Sequence, residues 1–413
     1  MGADYGSSQI RNVVLMGHGG SGKTTLVDAM CFVAGSVNRR GTVEGGTAHT
    51  DFTQEEVDHG ISINLAVARL EWMGTKLNLL DTPGYMDFFG EVEAAARVCD
   101  GAVAVVSATT GVEVGTERVW DVAARREMPR LLFVTMMDRE NADFEKTFAQ
   151  IRERFGAGAI PVEVPIGDGE NFRGIVNLFS DRAHVYRADS DRGEYDETDV
   201  PAEMADAVAS YRESLIESIA ATDDELLEAY LEGEKLDREK ILAAMKAAMA
   251  RGELFPVFCG AGSSGRGVRA LLNKIVELLP SPADRPAEVA TDGSGADVEL
   301  PPTDDAPFTA LVFKTTQEPR VGELSFFRVF SGSPQSGSTV YNPVRQSSER
   351  ISHLGVPDGT TRDEVPQLHA GDIGVVAKLK DTHTGDTLCA EGDELQLGAI
   401  EWPSADISIA LRP

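Results

Sequence analysis

Gly17-His18-Gly19-Gly20-Ser21-Gly22-Lys23-Thr24 spells the full pattern G-x-x-x-x-G-K-[ST], directly after the apolar run Val13-Val14-Leu15-Met16. Such a stretch can bend its backbone amides toward bound phosphates, while Lys23 reaches the β and γ phosphates and the Thr24 hydroxyl ligates Mg²⁺. It opens the helical stretch 24–34, whose N-terminus adds its own positive end to the site. A second group, Asp81-Thr82-Pro83-Gly84, ends the apolar run Leu77-Asn78-Leu79-Leu80, at the strand edge where ligands of open α/β sheets gather. Asp81 is the candidate that holds Mg²⁺ through water, and Gly84 can supply an N–H to a γ phosphate. Between the two groups, residues 36–61 are polar and carry Gly41, Gly45, Gly46 and Gly60, the composition of a mobile loop ordered by a ligand. Ser62 follows it and offers a hydroxyl to close the metal shell.

These residues need elements to position them. Apolar periodicity predicts strands over 11–16, 63–72, 76–81, 101–107 and 130–136, alternating with helices over 24–34, 89–99, 113–127 and 143–155, an α/β sheet covered on both faces. Residues 157–252 break that rhythm with short strands (162–166, 174–178, 183–186) and three acidic helical stretches beginning near Pro201, Asp223 and Asp237, the pattern of an inserted α+β subdomain. A strand over 254–259 and a helix over 267–279 close a first domain of residues 1–280. Residues 281–306, rich in Pro, Asp and Gly, read as a linker. From 307 to 413 the runs 308–315, 323–331, 339–342, 349–354, 373–379 and 404–411 are β-rich and separated by turns, which predicts an all-β barrel.

Composition narrows the classes. The chain has 413 residues, 42% of them hydrophobic, enough for two or three domains. No apolar run approaches the ~18–20 residues that span a bilayer, so a soluble, unexported protein with no membrane partner is expected. Cys31, Cys99, Cys259 and Cys389 lack C-x-x-C spacing and read as buried small hydrophobes, which suits a reducing cytosol. A net charge of −29 argues against broad attraction to nucleic acid, so DNA is not expected as a partner and any RNA contact must be local.

In RNVVLMGHGGSGKTT, HGISIN, DTPGYMDFFGEVEAAARVCDGAVAVVSA and MPRLLFVTMMDRENADF the sequence resembles the translational GTPases, elongation factor G most closely. The insertion (FRGIVNLFSDRAHVY, RESLIESIAATDDELLEAYLEGEKL) and the region from PFTALVFKTTQEPRVGELSFFRVFSG to LKDTHTGDTLC are similar to that factor too. The resemblance implies an α/β P-loop GTPase domain with an inserted subdomain followed by a β-barrel, a cytoplasmic monomer that binds GTP or GDP with Mg²⁺ and hydrolyses GTP on the ribosome during elongation or recycling. Carried over by position, His18, Gly19, Gly20, Ser21, Gly22, Lys23, Thr24 and Thr25 hold phosphates, with Thr24, Ser62 and Asp81 on the metal. Thr135, Met136, Asp138, Gly260, Ala261 and Gly262 surround the base, with Asp138 pairing to guanine. Lys23, Gly84 and Tyr85 stand at the catalytic positions. The barrel is implied to dock on small-subunit RNA, and the acidic helix with Glu203, Asp206, Glu213 and Glu217 to meet a ribosomal stalk protein.

Four departures fall on this chemistry. Tyr85 replaces the family's His, and a phenol lacks the near-neutral proton exchange of imidazole. The family's N-K-x-D reads Thr135-Met136-Met137-Asp138, its G-S-A reads Gly260-Ala261-Gly262, and its phosphate-loop Asp is Gly20. Family members that move tRNA carry three more domains, so the sequence is expected to be either the first two domains of a longer protein or a shortened one. A guanine-nucleotide-binding regulator of ribosomes without turnover is the alternative. An ATP-using P-loop enzyme of another class is disfavoured by Asp138 and the barrel.

Overall fold

A computed structural model describes residues 4–404 except 235, 319 and 320. The expected strand over 404–411 lies, from 405 onward, outside the described residues.

The first part is built on β1 (Ile10–Met16), α1 (Lys23–Ala34), α2 (Gln54–His59), β2 (Ala66–Trp72), β3 (Thr75–Asp81), α3 (Phe89–Val98), β4 (Gly101–Ser107), α4 (Val114–Arg125), β5 (Arg130–Thr135), α5 (Phe144–Phe155) and β6 (Ala159–Pro161). The next segment holds β7 (Glu163–Ile166), β8 (Gly174–Asn177), β9 (Arg182–Tyr186), β10 (Tyr195–Thr198), α6 (Ala205–Ala220), α7 (Asp224–Leu231) and α8 (Arg238–Ala250), before β11 (Phe255–Cys259) and α9 (Val268–Leu278). The main sheet has seven strands in the order β2-β3-β1-β4-β5-β11-β6. Only β2 runs antiparallel, joined to β3 by a two-residue turn in which Met73 and Gly74 take φ of 50° and 71°. β4 is buried along its whole length, as a central parallel strand must be when helices cover both faces. α1 and α9 pack on one face, α3 on the other.

β7 to β10 form a separate antiparallel sheet of four strands, with α6, α7 and α8 beside it. β6, just inside the segment expected as an insertion, instead pairs parallel with β11 at the edge of the main sheet. Three residues are too few to show a period, and neither this strand nor β10 is marked by the sequence pattern. Glu203 lies in a short 3-10 turn, Ala202–Met204, ahead of α6 rather than on the helix.

The stretch expected as a linker is not extended. It contains the hairpin of β12 (Glu288–Thr291) and β13 (Asp297–Leu300), and β12 also pairs with β22 (Gln396–Leu397). Asp292 caps the intervening turn through the N–H groups of Ser294 and Ala296. The last unit contains β14 (Thr309–Glu318), β15 (Gly322–Ser331), β16 (Thr339–Asn342), β17 (Ser347–Arg350), β18 (Gly355–Asp358), β19 (Thr361–Glu364), β20 (Ile373–Ala377) and β21 (Thr387–Ala390). They form one antiparallel sheet, β17-β16-β21-β14-β15-β20-β18-β19, that curls around a core of Val312, Phe327, Val340, Val356 and Leu388. The run expected as one strand over 349–354 is β17 followed by a turn, with His353 at φ 55°, into β18.

The outer face of this sheet, with Leu311, Phe313 and Phe330, shares a core with Val14, Leu80 and Val92 of the first unit. A buried polar network reinforces that seam. Lys76 Nζ donates to both oxygens of Asp372 at 2.8 and 2.7 Å, and Arg328 Nη2 donates to Asp100 at 2.7 Å. Asn12 and Asn78 bridge the two pairs: Asn12 Nδ2 donates to Asp100 at 2.9 Å, and Asn78 Nδ2 donates to Asn12 Oδ1 at 2.9 Å and Asp372 at 3.1 Å. No helix among the described residues is long and apolar enough to cross a membrane, and all four cysteines are buried and free.

Candidate nucleotide site

The phosphate loop joins β1 to α1, and Gly22 starts the helix at φ 89°, in the left-handed region that favours glycine. Lys23 is buried beneath the loop and donates its ammonium to the carbonyls of Gly17 and His18 at 3.0 and 2.9 Å. Burial pulls its pKa down to about 8, against the opposing pull of Asp81 and Asp51. The Thr24 and Ser62 hydroxyls lie 3.0 Å apart. Asp81, at the end of β3, is also buried, and one of its oxygens accepts the Thr50 hydroxyl at 2.6 Å. Burial raises its pKa above the ordinary carboxylate range, with the Thr50 hydrogen bond and Lys23 opposing. Residues of three separate stretches thus meet at one point.

Gly84 presses against the loop: a Cβ there would lie 2.5 Å from the Gly19 N and 2.6 Å from Lys23 Nζ, so only glycine fits. The ring of Tyr85 stands over Gly19 and is half exposed, whereas a side chain on Gly20 would enter open space. His18 turns away: its Nδ1 accepts the Gly115 N–H at 3.2 Å and its Nε2 lies 3.5 Å from Glu113. Only the backbone of His18 therefore faces the loop's interior, through the carbonyl that Lys23 holds. Thr25 is half-buried on the first turn of α1, where Gly262 packs so closely that a Cβ would stand 3.2 Å from the Thr25 carbonyl.

The base-side residues follow β5 and β11. Thr135 donates its hydroxyl to the Ser21 carbonyl at 2.7 Å, tying β5 to the phosphate loop. Met136 takes φ 61°, and its Cε lies 3.3 Å from where a Cβ of Gly22 would be. Asp138 Oδ2 accepts the hydroxyls of both Ser263 and Ser264 at 2.9 Å. No motif marks these two serines: the family's G-S-A would put its hydroxyl at position 261, and here hydroxyls arrive two and three residues later from a short 3-10 turn, Gly262–Ser264. Of the two residues expected to offer a backbone contact to the base, Ala261 and Gly262, the N–H of Ala261 donates to the Arg266 carbonyl at 2.8 Å.

The loop over 36–61, expected to be mobile and polar, is built into the structure. Thr53 and Glu56 form a capping box at the start of α2. Buried Glu56 then gathers the two flanks of α2, accepting from the N–H groups of Thr53 at 3.0 Å and Asn64 at 2.9 Å. Burial alone would raise its pKa, but the hydrogen bonds from Asn64, Thr53 and Ile63 prevail and hold it low. His49 donates its backbone N–H to Asp28 at 3.1 Å, and its ring meets Asp358 of the second unit at 2.6 Å. That last bond raises the imidazole pKa.

Four buried side-chain atoms around these loops have no hydrogen-bond partner among the described residues: Ser21 Oγ, Asp51 Oδ1, Asp81 Oδ1 and Asp138 Oδ1. Unpaired buried oxygens cost free energy unless a ligand meets them. Hard carboxylate and hydroxyl oxygens at Asp81, Thr24 and Ser62 are the donor set that Mg²⁺ takes. The Asp138 oxygen suits a donor-bearing heterocycle.

The family described as Elongation factor Tu GTP binding domain matches residues 8–281, and that described as Elongation factor G domain 2 matches residues 307–391. A crystal structure of a protein from Thermus thermophilus is similar with a TM-score of 0.82 and 36% sequence identity, covering 92% of this chain and 54% of that one. The chain spans about half the length of that protein.

Proposed function

The chain belongs to the translational GTPases of the elongation factor G type, and on that premise we propose that it binds GTP and GDP with Mg²⁺ and hydrolyses GTP when the ribosome engages it, in elongation or recycling. The observation that carries this reading is the pair of unpartnered buried oxygens at the two ends of the site, Asp81 Oδ1 and Asp138 Oδ1. The first suits a metal on the phosphates. The second suits the N1–H and N2 amine of guanine, a donor pair that adenine lacks.

Mg²⁺, when bound, neutralises phosphate charge and is held by Thr24, Ser62 and Asp81. Lys23 moves from the Gly17 and His18 carbonyls toward the β and γ phosphates, gaining a charge partner. The backbone of Gly19, Gly20, Ser21 and Gly22 cradles the phosphates, Gly84 meets the γ phosphate, and Tyr85 borders the space for the attacking water. Gly262 takes the backbone contact to the guanine oxygen, and Met136 covers one face of the base.

Nucleotide titration followed by phosphate release tests the proposal. GDP is expected to bind in a Mg²⁺-dependent way, ATP to compete poorly, and ribosomes to accelerate phosphate release from GTP. Equal displacement by ATP and GTP would sink the guanine assignment. Tyr85 favours a second reading, a ribosome-associated switch with little turnover, for which binding persists and ribosomes leave phosphate release unchanged. Exposed Asp206, Glu213 and Glu217 on α6 suit a basic stalk-protein surface. Reversing Glu213 and Glu217 to Lys is then expected to weaken stalk capture in a pull-down.

A further inference from the structure

A cavity of 520 Å³ opens where the ends of α3 and α4 and the segment 282–302 meet the second sheet. It lies beside Asp100, at the start of β4, whereas the phosphate loop follows the end of β1, so a strand's length of roughly 20 Å separates the two sites. Five arginines line it, Arg97, Arg125, Arg126, Arg285 and Arg328, against three carboxylates, in a chain whose net charge is −29.

Two of the guanidinium groups are committed, Arg97 to Glu288 and Arg125 to Glu93, each at 2.7 Å. Three keep unused donors. Arg126 reaches Glu93 at 3.5 Å, and its Nε is buried with no partner. Arg285 meets no carboxylate among the described residues, only the Glu127 carbonyl at 3.4 Å. The Arg328 side chain is 7% exposed; its Nη atoms are satisfied by Val98 and Asp100, yet its Nε has no partner. A buried guanidinium N–H without an acceptor is a costly arrangement, which an anion in the cavity relieves once the side chain turns toward it.

We propose that this cavity is a second ligand site, for a small anion carrying two or more phosphate groups, with Arg126, Arg285 and Arg328 as its donors. Planar guanidinium forks match phosphate oxygens. The donors come from three places in the chain, the end of α4, the segment after α9 and β15. The volume exceeds what a lone phosphate fills and falls within the ordinary range for organic ligands, about 300–1,000 Å³. The bound anion bridges the first unit and the second.

Isothermal titration with inorganic pyrophosphate tests the site on the full chain, using Lys23→Ala to remove the phosphate loop as a competing site. Pyrophosphate is expected to bind the Lys23→Ala protein at one site. Adding Arg126→Gln and Arg285→Gln is expected to weaken that binding at least about tenfold, as loss of hydrogen bonds to a charged group does. Arg285→Gln alone, which breaks no ion pair, is expected to weaken it about threefold or more without shifting the melting temperature of the ligand-free protein. Loss of all pyrophosphate binding in Lys23→Ala, or an affinity that the arginine substitutions leave unchanged, would overturn the proposal. ADP, run beside pyrophosphate, separates the sources: tighter ADP binding assigns the anion to a nucleotide and tighter pyrophosphate binding to an inorganic polyphosphate, and both support the site.

Discussion

Asp138 is oriented by Ser263 and Ser264, which hold Oδ2 and leave Oδ1 buried without a partner among the described residues. The spacing of motifs could place the carboxylate but not its partners, because which hydroxyl arrives depends on a turn the sequence does not announce. Replacing both serines with Ala is expected to lower GDP affinity about tenfold, since hydrogen bonds to a charged group contribute about 1.5–3 kcal/mol each and part of that is recovered by water. Competition against a labelled guanine nucleotide measures it. Tyr85 poses the opposite question, for its ring already borders the phosphate loop. Tyr85→His is expected to raise ribosome-stimulated phosphate release by about 10²–10⁴, the range of a positioned general base. Tyr85→Phe is expected to leave release unchanged.

Among the elements, those with a long period are legible in the sequence: α1, α4, α5 and the buried strands β1, β4 and β5 lie within a residue or two of expectation. Short strands such as β6, β10 and β12 are not, because three or four residues carry no readable alternation and their pairing is decided by tertiary contacts. The polarity of segment 36–61 has a structural use as well. Its polar side chains are there to bond one another, and Glu56 is the hub. Glu56→Gln is expected to release α2 and make the segment sensitive to limited proteolysis, while the rest of the chain stays resistant. β7 carries a different burden. Its first residue, Glu163, is buried, and burial pushes its pKa up to about 8 with Lys274 only partly offsetting. Because the folded form holds that proton more tightly than the unfolded form, stability is full below the ordinary carboxylate pKa and is lost as pH rises through about 8. Glu163→Gln is therefore expected to leave the melting temperature unchanged near pH 5 and to raise it by roughly 5 °C or more near pH 9, read by thermal denaturation across pH.

Over the whole molecule, the two units meet through Lys76, Asp372, Arg328 and Asp100, with Asn12 and Asn78 between them. A one-sided change there leaves a buried charge without its partner. Lys76→Met is expected to destabilise the protein by about 3–5 kcal/mol, measured by chemical denaturation, whereas Lys76→Met with Asp372→Leu recovers most of the loss because a pair removed together leaves no stranded ion. The His49 to Asp358 bond lies on the same seam and connects the loop that bonds Asp81 through Thr50 to the second unit. Such a seam restricts which parts can be exchanged between proteins. A second unit transplanted from a relative will fold onto this first unit only if it brings an acid where Asp372 stands and a guanidinium where Arg328 stands, so the two halves must be inherited, or engineered, as a matched set.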